Sequence, residues 1–310
     1  MSTNGIYSNL MREIKAKRFV FTGELEPEKT TKLDDLYEGV IYLLDHVVAC
    51  NVTDNPQSMA YMSSLVASYI IQLETGMECV YQLRCADRNR IALISDLLGA
   101  GALGIKNILA LTGDHTSIGD TSEAKPVFDL DSTQLIYMIR RMIDNGMDLN
   151  GNPIHNPPKF HVGAAGNPNS DPLEPEILKI GRKVRAGAEF IQTQVVFDIE
   201  IAEGFLNAIK EYDIPVLVGV FPTKSYGVAS YFDKYIPGVS VPQELLMQLK
   251  RVSEITDKKL RKEKYAEINL EYFGDFFKEL MKTSAAGIHV MAVGYEKIIR
   301  KLIDRARGKE

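Results

Sequence analysis

Two rhythms of hydrophobic and polar positions alternate along this chain. Short apolar runs fall at residues 19–25, 46–52, 79–83, 107–111, 160–164, 190–194, 215–220 and 288–291. These runs are mostly apolar, as buried strands of a parallel sheet covered on both faces require. Between them, apolar residues recur with helical spacing over 34–44, 59–74, 90–98, 133–143, 174–186 and 199–212. Helices over 242–255 and 264–282 come before the eighth strand, so one extra helix is expected there, and 295–305 follows it. Gly146, Gly187 and Gly287 stand where helices are expected to end, at positions where only glycine takes positive φ cheaply. Eight β–α units in sequence predict an α/β protein built as a single (β/α)8 TIM barrel, with an open doubly wound sheet as the alternative. No Pro- or Gly-rich linker divides the chain, and 112–132 and 144–158 read as loops, so residues 1–310 are expected to form one domain.

Composition narrows the partners without naming a reaction. The chain carries a net charge of −5, and no basic stripe accompanies exposed aromatics, which argues against nucleic acid. The basic run 258–264 reads as the solvated face of a polar helix. Cys50, Cys79 and Cys85 form no C-x-x-C pair, and an odd, sparse count points to a reducing compartment. With no apolar leader and no apolar run approaching ~18 residues, a membrane span is not expected and a cytoplasmic protein is. No G-x-G-x-x-G follows a strand, which removes support for a dinucleotide site of the Rossmann kind.

Barrel enzymes place their chemistry at the C-terminal ends of the strands, and parity along a strand tells which side chains share a face. Val20, Thr22 and Glu24 share one face of the first strand, and Gln82 and Arg84 one face of the third. Ile108, Ala110, Thr112 and Asp114 fall together on the fourth, and Gln192 and Gln194 on the sixth. The second strand ends in Asn51-Val52-Thr53-Asp54-Asn55 and the fifth runs into Asn167. Polar groups thus gather at one end of six strands. Each also has a plain structural reading. Glu24 would cap a helix or pair with Lys29, Asp114 would close a turn, and Gln194 would be a satisfied core amide. Tyr231 and Phe232 would be packing residues, and Arg182 and Lys183 surface cations near a helix end. His115 and His161 read as local hydrogen-bonding residues, because no second ligand stands at metal spacing, and no metal is expected.

Taken together, the motifs resemble those of the methylenetetrahydrofolate reductase family. The resemblance rests on Phe21-Thr22-Gly23-Glu24-Leu25-Glu26-Pro27 and Leu109-Ala110-Leu111-Thr112-Gly113-Asp114 on strands one and four. It continues through Lys125-Pro126-Val127-Phe128-Asp129-Leu130-Asp131-Ser132, Gly163-Ala164-Ala165-Gly166-Asn167-Pro168 and Gly181-Arg182-Lys183-Val184-Arg185-Ala186-Gly187-Ala188. Phe190-Ile191-Gln192-Thr193-Gln194, with Phe197-Asp198, and Gly219-Val220-Phe221-Pro222 complete it. The motifs keep the family's order over nearly the whole chain.

The resemblance implies a barrel that binds FAD, with FMN as the alternative, and reduces 5,10-methylenetetrahydrofolate to 5-methyltetrahydrofolate. It implies Glu24 as general acid, Asp114 as the carboxylate between flavin and pterin, and Gln194 as the amide on the pterin. Phe232 would pack on the folate, and Thr53, Gln82, Thr112, Gly113, Asp114, Asn167, Arg182 and Lys183 would contact the flavin. Thr112, Asn167 and Gln82 replace residue types of the best-known bacterial members. Gly294-Tyr295 stands where those members carry Asn-Arg, and Val228 replaces a polar contact. On both counts the chain is similar to the acetogen type, which works with a zinc or iron–sulfur partner subunit and serves the methyl branch of the Wood–Ljungdahl pathway. Electrons would then come from NAD(P)H directly or through that partner, and a homo-oligomer is compatible with the reading. Two competing classes remain: a flavin-free pterin methyltransferase barrel and a non-catalytic scaffold subunit.

Overall fold

A computed structural model describes residues 5–236 and 239–309. Eight parallel strands close into a barrel in sequence order: β1 (Val20–Leu25), β2 (Ala49–Val52), β3 (Cys79–Arg84), β4 (Asn107–Leu111), β5 (His161–Gly166), β6 (Phe190–Val195), β7 (Val216–Val220) and β8 (Gly287–Val290). β8 pairs back on β1, from Val20 opposite Gly287 to Gly23 opposite Val290. The closed sheet decides between the two expected architectures.

Helices follow the strands. They are α1 (Asn9–Lys15), α2 (Asp34–Leu43), α3 (Ser64–Thr75), α4 (Arg90–Ala102), α5 (Ser132–Arg140), α6 (Glu174–Ala186), α7 (Ile199–Ala208), α8 (Tyr226–Tyr235), α9 (Gln243–Ser253), α10 (Lys258–Leu280) and α11 (Lys297–Ala306). Three helices, rather than the two expected, separate β7 from β8. α8 is the addition; Ser225 caps it by accepting the Val228 N–H. Among the described residues no helix is long and apolar enough to cross a membrane.

The apolar runs serve two cores. Side chains on the outer face of the strands, such as Ile108, Ala110 and Val218, pack under the helices. Those on the inner face (Val20, Ala49, Val80, Leu109, Phe190 and Leu217) form a second cluster with Leu10, Met11 and Ile14 of α1. α1 therefore closes the N-terminal end of the barrel, and each of its large buried side chains contributes about 1.5–3 kcal/mol. The open end is the other one.

Two expectations need correction here. Gly287 caps no helix: α10 ends at Leu280 and Gly287 opens β8. A Cβ there would lie 2.3 Å from the Val20 carbonyl oxygen, so the close approach of β8 to β1 excludes a side chain. Gly146 and Gly187 do end helical segments at positive φ, 62° and 108°. On β4 the shared face is the outer one, since Ile108 and Ala110 pack toward the helices while Leu109 and Leu111 belong to the interior.

Candidate active site

Above the interior plug the inward side chains turn polar. Asn51 Nδ2 donates to Gln192 Oε1 at 2.7 Å, joining β2 to β6. Thr22 Oγ1 lies 3.0 Å from His289 Nδ1, and His289 Nε2 lies 3.3 Å from Glu24 Oε2. With the proton on Nε2, the imidazole donates to Glu24 and accepts from the Thr22 hydroxyl. Gln82 Nε2 donates to the same Glu24 oxygen at 3.2 Å. Both bonds fall on Oε2, so Oε1 is left for a ligand. The plain reading of Glu24 as a partner of Lys29 is excluded, because Lys29 pairs with Asp120.

Glu24 forms the floor of a cavity of about 480 Å3 at the C-terminal ends of the strands. Thr53, Gln82, Thr112, Gly113, Asp114, Asn167, Lys183 and Gln194 also line it. Sequence residues from β1 through β6 thus converge on one opening. Arg182 and Phe232 do not line it. Arg182 projects from α6 into solvent, while Lys183 turns inward and donates to the Ala165 carbonyl at 2.7 Å. One of the two neighbouring cations therefore reaches the cavity. Phe232 stacks on Phe221 with ring centroids 4.1 Å apart, which supports the packing reading of that residue.

Local folding sets each of these groups. The β2–α3 loop takes positive φ at Asn55, Gln57 and Ser58, and Arg84 pins it by donating to the Asn55 carbonyl at 2.6 Å and to Ser58 Oγ at 3.2 Å. The loop then presents the Gln57 N–H to Asp114 Oδ2 at 3.0 Å, fixing that carboxylate at the rim. Gly113 has φ +88°, and a Cβ there would crowd the side chains of Ala86 and Arg84 at 3.0 and 3.1 Å. Thr112 Oγ1 donates to Ser132 Oγ and accepts the Ser132 N–H, both at 3.1 Å, tying the rim to the start of α5. A register irregularity between Gln192 and Val195 re-aims Gln194. Its Oε1 accepts the Val195 N–H at 2.9 Å, and its Nε2 engages no described residue. His161 and His115 are held locally, His161 by the Tyr7 N–H and Glu189 and His115 by Ser117.

The family model described as methylenetetrahydrofolate reductase matches residues 9–307. The chain belongs to that family. Methylenetetrahydrofolate reductase 1 of Schizosaccharomyces pombe is 24% identical over 242 residues, covering 76% of this chain and 37% of that protein. A probable methylenetetrahydrofolate reductase (NADPH) of Caenorhabditis elegans is 26% identical over 212 residues, covering 66% of this chain and 29% of that protein. The chain thus spans about a third of the length of these relatives. Among solved structures, an uncharacterized protein from Clostridium thermocellum, described as binding two copies of 5-methyl-5,6,7,8-tetrahydrofolic acid, superposes with a TM-score of 0.62. Its identity is 15%, over 97% of this chain and 98% of that one, a likeness in fold.

Methylenetetrahydrofolate reductases as a family imply a flavin, and the cavity wall can be tested for that group. Thr53 Oγ1 is buried without a hydrogen-bond partner beside the cavity, a polar atom that a ligand would satisfy. Gly113 removes the side chain that would otherwise stand against that wall. Lys183 supplies a cation whose burial pulls its pKa down, opposed by the Glu176 carboxylate. Hydroxyl, bare backbone and cation suit the polar edge and phosphates of a flavin nucleotide, so the residues present fit the group. Sequence reasoning missed His289. The signal was present, because a histidine in phase with the inward face of β8 is costly unless used.

Proposed function

We propose that this chain reduces 5,10-methylenetetrahydrofolate to 5-methyltetrahydrofolate, with a flavin on the β2–β5 side of the cavity. The observation that carries the reading is Glu24 at the cavity floor, held on one oxygen by Gln82 and His289 and open on the other. The folate binding described for the Clostridium thermocellum protein agrees with it.

The substrate's five-membered ring must open to an iminium before it can accept hydride. In this reading Glu24 gives a proton to the departing ring nitrogen, and Gln82 and His289 take the resulting negative charge. Asp114 faces the cationic iminium and stabilises it. Gln194 directs its Nε2 donors at the pterin, orienting it. Thr53, Thr112, Asn167 and Lys183 hold the flavin nucleotide, FAD being the first expectation. When bound, the flavin supplies the hydride that turns the iminium carbon into a methyl group.

For the electron source, the segment after β8 supports one reading. Gly294, at φ +66°, donates its N–H to Glu296 and carries no side chain at the position where the resemblance to NADH-dependent members expects Asn-Arg. We infer that electrons arrive through a partner subunit carrying zinc or an iron–sulfur cluster, as in the acetogen type, rather than from NAD(P)H directly. The purified chain, loaded with FAD, is expected to oxidise 5-methyltetrahydrofolate with an electron-accepting dye. A flavin-free protein, or a flavoprotein inert toward methyltetrahydrofolate, would leave a methyltransferase barrel or a scaffold subunit instead.

A further inference from the structure

The polar layer under the cavity holds one pair of side chains that the proposed reaction does not use. Ala49 of β2 and Phe190 of β6 belong to the apolar interior cluster, so parity turns Asn51 and Gln192, two residues further on, inward above it. β2 and β6 stand opposite each other in the closed sheet, and the 2.7 Å bond from Asn51 Nδ2 to Gln192 Oε1 spans the barrel interior. Asn51 is fully buried and is the register partner of Glu24 on the adjacent strand. Gln192 lines the same cavity as Glu24. The pair thus lies at the level of the proton donor, while Gln194 stands further along β6, nearer the mouth.

Neither amide is fully used. Gln192 Nε2 engages no described residue, and Asn51 Oδ1 is buried without a partner. A buried carbonyl left unpaired is costly. Turning both amides over exchanges the roles: Gln192 Nε2 then donates to Asn51 Oδ1, and the Gln192 carbonyl faces the cavity. Each orientation makes one bond between the amides and leaves one atom of Asn51 without a partner in the pair. The two are therefore balanced, and what lies in the cavity selects between them.

We infer that Gln192 is a second contact to the ring nitrogen that Glu24 protonates, aimed by Asn51 and turned to suit that nitrogen before and after ring opening. The inference rests on the folate reading above. In 5,10-methylenetetrahydrofolate the methylene carbon bridges two nitrogens, each bonded to three carbons, so they offer lone pairs and no N–H. The Gln192 amide N–H answers a lone pair. Ring opening breaks one C–N bond, and the departing nitrogen keeps the electron pair and the proton that Glu24 has given it. That nitrogen is now a donor, and the Gln192 carbonyl, turned over against Asn51, accepts from it. Gln192 is on this account a catalytic residue and Asn51 a positioning residue.

The test is calorimetric titration, without oxygen, of FAD-loaded protein in two pairings that cannot react. Oxidised protein has no hydride to give 5,10-methylenetetrahydrofolate, and photoreduced protein cannot take one from 5-methyltetrahydrofolate. Gln192→Met keeps the size and loses the hydrogen bonds. It should weaken both folates by about 10-fold, the loss of one hydrogen bond, with FAD affinity and thermal unfolding unchanged. Asn51→Leu should weaken both in the same direction, and the double variant no more than Gln192→Met alone, because one residue acts through the other. If Asn51→Leu fails to fold, the Gln192→Met titrations decide alone. A parent that binds both folates, with Gln192→Met binding them as tightly, overturns the inference and leaves the functional reading standing. A loss confined to one folate also overturns it, since the amide is then fixed, as does an equal loss for FAD, the mark of a merely structural role. A parent that binds neither folate overturns the functional reading and the inference together.

Discussion

Two hydrogen bonds converge on one oxygen of Glu24 and leave the other toward the cavity. This arrangement makes His289 a positioning residue: it is fully buried, bound to Thr22 on one nitrogen and to Glu24 on the other. His289→Ala should slow folate reduction by roughly 10–100-fold and leave flavin reduction unchanged, the size expected when a general acid loses its support. Rapid mixing of each half-reaction separates the two, and an unaltered folate step would remove His289 from the role. Glu26 has a different prediction. It lines a separate cavity of about 410 Å3 with Lys224 and Glu296. Its pKa is pushed up to about 7, first by burial, then by the charges of Glu24 and Glu28, against the pull of Lys224. The fold therefore favours its neutral form, and that contribution is complete at low pH and lost as pH rises through about 7. Glu26→Gln should be more stable than the parent at pH 8 by about 2 kcal/mol, allowing for water that still reaches the group, and not at pH 4. Urea unfolding at the two pH values checks this; an equal difference at both would contradict it.

At the scale of elements, the eight strands were legible because each is a short, largely apolar run set between helical segments, and the deviations have local causes. α1 was missed because its seven residues are too few for a periodic signal, although Ser8 caps it by accepting the Met11 N–H. Its role is tertiary: Leu10 and Met11 are 0% and 2% exposed against the barrel interior. Leu10→Ala should cost about 2–5 kcal/mol, with a cavity opened under the barrel floor, and a change below 1 kcal/mol in urea unfolding would mean that α1 does not plug it. α8 was missed because Tyr231 and Phe232 read as isolated packing residues rather than as part of a helix. Parity correctly placed Glu24, Gln82 and Gln194 in one cavity. It failed on β4, because alternation tells which residues share a face and not which face is inside. Arg182 and Lys183 are sequence neighbours, and helical geometry turns only Lys183 to the cavity.

Over the whole molecule, closure of the sheet is what brings residues from the first and last strands together. Glu24 and His289 are separated by 265 positions and meet because β1 pairs with β8. No short-range motif carries that contact, which is why the sequence pointed to Glu24 and not to its partner. The same assembly leaves the electron source to be tested at this scale. The FAD-loaded chain alone should be reduced by NADH far more slowly than with a redox partner present, and rapid reduction by NADH alone would contradict the partner reading. The central claim is that Glu24 protonates a folate held at a flavin within this cavity. It is tested most directly by mixing photoreduced, FAD-loaded protein with 5,10-methylenetetrahydrofolate without oxygen and following the return of oxidised-flavin absorbance. The account predicts rapid reoxidation in the parent, and in Glu24→Gln a rate at least about 100-fold slower with photoreduction unchanged. Reoxidation of Glu24→Gln at the parent rate, or a parent protein that takes up no flavin, would contradict it.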